Sequence, residues 1–414
     1  METLPTWAYA YGRPSVRATF KSTPADFCVT ELIDIEFSDS GEHIWLWIEK
    51  NGLTTVFVQE CIASFAQVPL RDVSYSGLKD KQSISRQWFS VRIPSPSQRE
   101  SLCWSALEQA VTETLQRSQK REVTQASGDR DIQAIKVNTT PPIACIKVMS
   151  VQQHYRKLRI GTHRANQFAI QLRDSQGDTD DIVHRIQQIK QQGFPNYFGE
   201  QRFGRGAANL QRAKQLFSGK RLRRQPRSMA LSAARSFIFN TLLSERVHGN
   251  NWCELVVGDV LQLNGTQSFF NGPGNTDANT DADEDSSREQ LTKRLQDGDL
   301  HVSAPLWGEQ GSSTQGDAAT LEQSALERSG LLEWCDALAK QGMQSSRRSL
   351  RAFAGEFSYN IVGSDICLQF QLPRGSFATA LLRELLLTTE STSTPSQDLP
   401  ADAHAIAAFV TAAK

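Results

Sequence analysis

No apolar run in this 414-residue chain approaches the length of a membrane-spanning helix, no C-x-x-C pair occurs, and neither sign of charge is in excess. A spanning helix needs roughly 20 consecutive apolar residues, so no membrane segment is expected. Seven cysteines are scattered at 28, 61, 103, 145, 253, 335 and 367, which offers neither a zinc site nor a disulfide framework. With an N-terminus that lacks the basic and apolar regions of a signal peptide, this predicts a cytoplasmic protein with reduced thiols and no bound metal. The balance of 45 basic against 45 acidic residues does not exclude a nucleic-acid partner, because distribution matters more than the total. Acidic residues crowd into Asp277 to Glu289, which leaves the rest of the chain net basic. The glycine-dense stretch Gly199 to Gly206 matches neither G-x-G-x-x-G nor the Walker lysine pattern, which sets nucleotide hydrolysis aside. Tyr197, Phe198 and Phe203 are instead expected to anchor that turn in a core. No repeat of fixed period is present.

What is there reads as two strand-rich blocks around a helical middle. Short runs rich in β-formers, bounded by Gly or Pro, predict strands at His43–Ile48, Trp88–Ile93 and Ala144–Val148. Clean alternation in Asn166–Leu172 and Asp365–Leu372 predicts two more, with Asn166, Phe168, Ile170 and Leu172 sharing one face. Apolar spacing predicts helices over 54–66, 107–116, 182–193, 207–217, 230–247 and 379–387. The resulting expectation is one α+β domain interrupted by a mostly helical insertion at 193–352. The acidic stretch 271–289 reads as a disordered loop within it, and 389–414 as a linker and tail.

Four segments outside the helices are dense in residues suited to chemistry. In Ser74-Tyr75-Ser76-Gly77-Leu78-Lys79-Asp80-Lys81, one carboxylate sits between two lysines after a glycine. Neighbouring positive charge favours the ionised form, and an ionised carboxylate on a tight turn suits a covalent nucleophile; an ordinary charged turn reads the same way. Phe27, after Lys21 and Pro24, and Phe377, in Arg374-Gly375-Ser376-Phe377, are placed to clamp an unstacked base or to fill a core. Asn166 offers both a donor and an acceptor for a base edge. The basic segments Arg156-Lys157-Leu158-Arg159 and Lys220 to Arg227, including Arg223 and Arg224, could contact phosphates or simply be solvated.

Taken together, Gly77-Leu78-Lys79-Asp80-Lys81, Pro195-Asn196-Tyr197-Phe198-Gly199-x-Gln201-Arg202-Phe203-Gly204 and Arg374-Gly375-Ser376-Phe377-Ala378-Thr379 closely resemble the tRNA pseudouridine synthase D (TruD) family. Pro24-x-Asp26-Phe27 and Asn166-x-Phe168 extend the likeness over the chain to about residue 388. The resemblance implies a pseudouridine synthase catalytic domain with a mixed sheet, in 1–192 and 353–388, carrying an inserted TRUD domain. It implies Asp80 as the catalytic aspartate, and Phe27, Asn166 and Phe377, with Phe168 nearby, as the uridine pocket. The implied reaction is isomerisation of uridine-13 in the tRNA D-arm by a monomer without cofactor. Lys21 is the expected cation partner of Asp80. The acidic stretch and the tail after Thr388 depart from the family pattern. A non-catalytic RNA-binding protein and a carboxylate-dependent glycosidic-bond hydrolase are the competing readings. The hydrolase would want a second carboxylate as general acid, and none stands out in these motifs.

Overall fold

The structure, a computed structural model, describes residues 4–126, 144–272 and 282–390. The chain forms an α+β fold in two compact units. One comprises residues 18–176, 356–374 and 388–414; the other comprises 1–17, 177–355 and 375–387.

The first unit is built on a mixed sheet. Its strands in chain order are β1 (Arg17–Phe20), β2 (Phe27–Leu32), β3 (His43–Asn51), β4 (Val73–Tyr75), β5 (Ile84–Arg92), β6 (Cys145–His154) and β7 (Ala165–Gln176). The hairpin Gly355–Val362 and Asp365–Pro373 adds to β7, giving the order hairpin, β7, β2, β5, β3, β6. β2 and β5 run parallel, while β2–β7, β5–β3 and β3–β6 are antiparallel. Helices Thr55–Phe65 and Ala106–Ala126 cover one region of the sheet. Ile44, Leu46 and Ile48 of β3 pack there with Val58, Ile62, Phe89, Val91, Leu107 and Val111, all nearly or fully buried. Each of those helices places its apolar residues at three- and four-residue spacing, so a single stripe faces the strands.

Period-two alternation puts Phe27, Val29 and Glu31 on the buried face of β2, and Phe168, Ile170 and Leu172 on the buried face of β7. The register sets Phe27 opposite Ile170, Val29 opposite Phe168 and Glu31 opposite Asn166. Asp26, fully buried at the end of the turn Pro24–Asp26, accepts the Thr23 amide at 2.8 Å and two bonds from Arg173, at 3.0 and 2.7 Å. It thus fixes the angle at which the chain enters β2.

The second unit holds helices Thr179–Gln192, Ala208–Phe217, Arg224–His248, Gly316–Arg328, Leu332–Lys340 and Ala378–Leu385. It also contains a four-stranded antiparallel sheet of Phe269–Asn271, Val260–Leu263, Leu300–Leu306 and Ser346–Ser349, which the periodicity of the sequence does not reveal. Its strands are three to seven residues long, and the central one, Leu300–Leu306, is buried on both faces and so does not alternate. Trp7, Ala8 and Ala10 of the N-terminal segment bond to Arg383, Ser244 and Glu384, which joins both ends of this unit to its long middle.

The stretch 271–289 expected to be a disordered loop is corrected in its C-terminal part. A helix runs over Ala282–Gln296, free of Pro and Gly and with Lys293 and Arg294 in its last turn, where they complement the helix dipole. Residues 273–281, like the tail from 391, lie outside the described residues. Thr389 and Glu390, expected to start a linker, belong to a strand, Leu387–Glu390, paired with β1.

Asp26 is fully buried, whereas Arg173 is 26% exposed and also lies 3.7 Å from Asp365. Asp26→Ala removes three hydrogen bonds but leaves Arg173 a second carboxylate, and should cost about 1–3 kcal/mol, read as a lowered urea midpoint at unchanged slope.

Candidate active site

The turn 76–83 is held at several points along its length. Gly161 donates its amide to the Ser76 carbonyl at 2.7 Å, and the buried Ser76 hydroxyl meets His163 Nδ1 at 2.6 Å. Gln87 bonds the Gly77 carbonyl at 3.0 Å, and the Lys79 amide donates to Thr55 Oγ1 at 2.9 Å. Two donors converge on the Asp80 carbonyl: Lys50 Nζ at 2.6 Å and Ser83 Oγ at 2.8 Å. Burial holds the His163 imidazole down at about 4, so at neutral pH it braces the turn as a neutral ring.

The counter-charge of Asp80 comes from outside its own turn. Lys79 turns away from it and pairs with Glu31 at 3.1 Å, both side chains being buried, while Lys81 is exposed. β-alternation had already forced Glu31 to the core face of β2. A carboxylate there is costly unless paired, and Lys79 with the Trp88 amide supplies the partners. Lys79 therefore anchors the turn to the sheet. The cation that meets the Asp80 carboxylate is Lys21, with Nζ 2.8 Å from Oδ2.

Lys21 occupies an unusual position. Its backbone lies in the left-handed region at φ 58°, uncommon for a residue with a β-carbon. Its side chain is 8% exposed and that of Asp80 35%, so the pair has a dry side and a wet side. The ammonium sits 4.1 Å from the Phe27 ring centre and 5.0 Å from that of Phe20. Two ring faces partly replace the water a buried ammonium has lost, and they restrict where Nζ can go.

Phe27 and Phe168 are both buried, at 4% and 7% exposure, with their rings 5.9 Å apart. Phe168 in turn stacks on Phe370 at 5.4 Å. Asn166, opposite Glu31, carries a buried Oδ1 that has no hydrogen-bond partner among the described residues. An unsatisfied buried amide oxygen costs about 1–3 kcal/mol, a cost that a ligand donating to it removes. Arg156, Lys157 and Arg159 lie exposed on the segment before β7, with Lys157 Nζ bonded to the Arg71 carbonyl and Arg156 stacked on Tyr155. Trp45 Nε1, donating to the Arg156 carbonyl at 3.0 Å, ties this segment to β3.

Phe377 belongs to the second unit. It is half-buried at the start of helix Ala378–Leu385, with its ring 5.8 Å from that of Phe198. Arg348 organises this corner. It lies 4.2 Å over the Phe198 ring, binds the Asn196 carbonyl and side chain, and donates to the Gly375 carbonyl at 2.9 Å. No carboxylate among the described residues pairs with it, and burial lowers its pKa to about 9. Gly199 lets the two motifs meet, since a β-carbon there would come within 2.8 Å of Thr379 Oγ1. Arg223 and Arg224 are exposed at the start of helix Arg224–His248, in a stretch from Gln201 to Ser244 that carries ten basic residues and no acidic one.

Lys50, Glu31, His163 and Arg348 were not singled out from the sequence. For Lys50 a signal existed: it continues the parity of Ile44, Leu46 and Ile48 and so points into the core. Glu31 has the same signature after Phe27 and Val29. Arg348 and His163 act through tertiary contacts and leave no local pattern. No cluster of side chains suited to a metal occurs among the described residues, and no described helix is long and apolar enough to cross a membrane.

A mixed sheet that presents an ion-paired aspartate on an anchored turn defines a carboxylate-centred site in an α+β protein. The family profile of tRNA pseudouridine synthase D (TruD) matches residues 4–129, 123–213 and 208–385, and the chain belongs to this family of isomerases. It is 38% identical over 381 residues to a tRNA pseudouridine synthase D of Pseudomonas syringae pv. tomato, covering 91% of this chain and 93% of that one. It is 34% identical to the protein of the same name from Aeromonas hydrophila subsp. hydrophila, covering 93% and 95%. The fold is similar to the crystal structure of a protein from Methanosarcina mazei assigned to tRNA pseudouridine synthase D, with a TM-score of 0.62 at 18% identity, covering 92% and 95%.

Burial of Lys50 lowers its pKa to about 8, against the pull of Asp80. At this residue the unfolded chain, with an ordinary lysine, binds more protons between about pH 8 and 10.5, so Lys50's own contribution to stability rises with pH across that window. That contribution should reach about 3 kcal/mol. The buried thiols of Cys28, Cys61 and Cys335, pushed up to about 11, 11 and 12, contribute in the opposite sense. Lys50→Met should therefore make the change in stability from pH 8 to pH 10 less favourable than in wild type in urea titrations; an unchanged difference would remove Lys50 from the pH dependence.

Proposed function

We propose that this protein isomerises uridine-13 in the D-arm of tRNA to pseudouridine, with Asp80 as its catalytic group. The observation that carries this is the Lys21–Asp80 contact of 2.8 Å on a turn anchored through the Gly77 carbonyl, the Lys79 amide and the Asp80 carbonyl. In a member of this family, that leaves one carboxylate free to act on a substrate.

The reaction breaks the N1–C1′ glycosidic bond, turns the uracil in place and joins its C5 to C1′, after which C5 loses its proton. Attack of Asp80 on C1′, attack on C6 and proton abstraction in a glycal route all begin from the same carboxylate. Each also needs the detached base retained, which apolar walls such as Phe27 and Phe168 would provide. The open Oδ1 of Asn166 supports its role as reader of the uracil edge, because a uracil N3–H could satisfy it. In this reading the sheet unit carries the chemistry. Arg156, Lys157 and Arg159, with Arg223 and Arg224 of the insertion expected at 193–352, hold the RNA backbone without reading sequence. The enzyme works in the cytoplasm as a monomer, without cofactor.

Asp80→Ala tests the proposal. It should bind tRNA with the affinity of the wild type but release no tritium from C5-labelled uridine. Full release by the purified variant would overturn the role of Asp80. Binding without release by the wild type itself would leave a non-catalytic RNA-binding protein, and free uracil among the products would indicate a hydrolase.

A further inference from the structure

Two large aliphatic side chains are far more exposed than their chemistry favours, one two residues before Asp80 and the other on a loop bonded to that turn. Ile160 is 81% and Leu78 69% exposed, the two highest values for large hydrophobic residues among those described. A single exposed leucine needs no explanation. What calls for one is that these two stand on loops bonded to each other, in rigid settings. Leu78 is flanked by the Gly77 carbonyl, bound by Gln87, and the Lys79 amide, bound to Thr55. Ile160 stands at the tip of a turn closed by the Thr162 amide on the Arg159 carbonyl at 3.2 Å, with the Thr162 hydroxyl on the same oxygen at 2.7 Å.

That turn is locked on both sides of its glycine. Gly161 donates to Ser76, two residues before Leu78, and accepts from Arg374 Nη1. Its φ of 81° lies in the left-handed region that favours glycine, and a β-carbon placed there would meet the end of the Arg374 side chain at 2.8 Å. A loop so fixed does not hide its isoleucine by collapsing. Around the two side chains the exposed charges are basic: Arg156, Lys157 and Arg159 on one loop, Lys81 on the other. An apolar tip with a cationic surround suits a nucleic acid better than a protein core.

We propose that Leu78 and Ile160 form an apolar wedge that enters the base stack of the RNA and fills the gap left by the extruded uridine. The inference rests on the function proposed above. Extrusion unstacks the neighbours of the target base, and aliphatic side chains inserted between bases offset part of that loss. Leu78 lies two residues from Asp80, so insertion and capture are coupled through one short, fixed segment.

The test is the double variant Leu78→Ser/Ile160→Ser on two RNAs. One is the tRNA substrate; the other is the same tRNA with abasic residues on both sides of the target uridine, so that no stack remains to be opened. Because both side chains are exposed, the thermal midpoint should not change. Turnover at low concentration of the normal tRNA should fall at least about tenfold, with turnover of the abasic RNA within twofold of wild type. In an Asp80→Ala background, 2-aminopurine placed 3′ to the uridine should brighten on binding only when Leu78 and Ile160 are intact. Equal loss on both RNAs, or unchanged turnover of the normal tRNA, overturns the wedge; in the latter case the pair would be free for a protein contact. A wild type that makes no pseudouridine in normal tRNA overturns the underlying function, and the wedge with it.

Discussion

The contact between Lys21 Nζ and Asp80 Oδ2 sets the terms for everything around it. One carboxylate oxygen must be held while the carboxyl group as a whole stays open to a ligand. The chain meets this by burying the cation and leaving the anion one-third exposed. The left-handed backbone at Lys21, the two phenylalanine rings beside its ammonium and the buried Asp26 that sets the entry of Phe27 all serve to fix Nζ. On the opposite side, Lys50 and Ser83 take the Asp80 carbonyl and Lys79 takes Glu31, so the turn cannot follow its side chain when a substrate pulls on it. Strain at such positions persists only where surrounding structure over-determines it, and here it does.

The two lysines that pair with Asp80 and Glu31 illustrate how charge near a site divides its work. Lys79, adjacent to Asp80 in the chain, is structural; Lys21, fifty-nine residues away, is the direct partner. Adjacent residues on an extended turn point in different directions, so sequence neighbours of a carboxylate are poor candidates for its counter-ion. A left-handed lysine after a strand, one turn before a buried Asp-Phe pair, is the better signature.

Much of this was legible in the chain. Alternation in β7 and the apolar runs of β3 and β5 predict the sheet, and the helices that cover it follow from four-residue spacing. The short strands of the second unit were not legible, because a fully buried strand such as Leu300–Leu306 has no period to detect. Of the site, Lys21, Phe27, Asp80 and Asn166 carried motif signals and fall in one compact unit, with Phe377 in the other. Lys50 and Glu31 could have been found as charged residues on the apolar parity of their strands. Arg348 could not: its partners Asn196, Phe198 and Gly375 come from segments roughly 30 to 150 residues away, and only the folded chain joins them.

The Lys21–Asp80 pair is tested most directly by kcat for Lys21→Met beside wild type, with tRNA affinity measured on both. Loss of the positioning cation should lower kcat by about a hundredfold, with tRNA affinity unchanged. A kcat identical to wild type would contradict it.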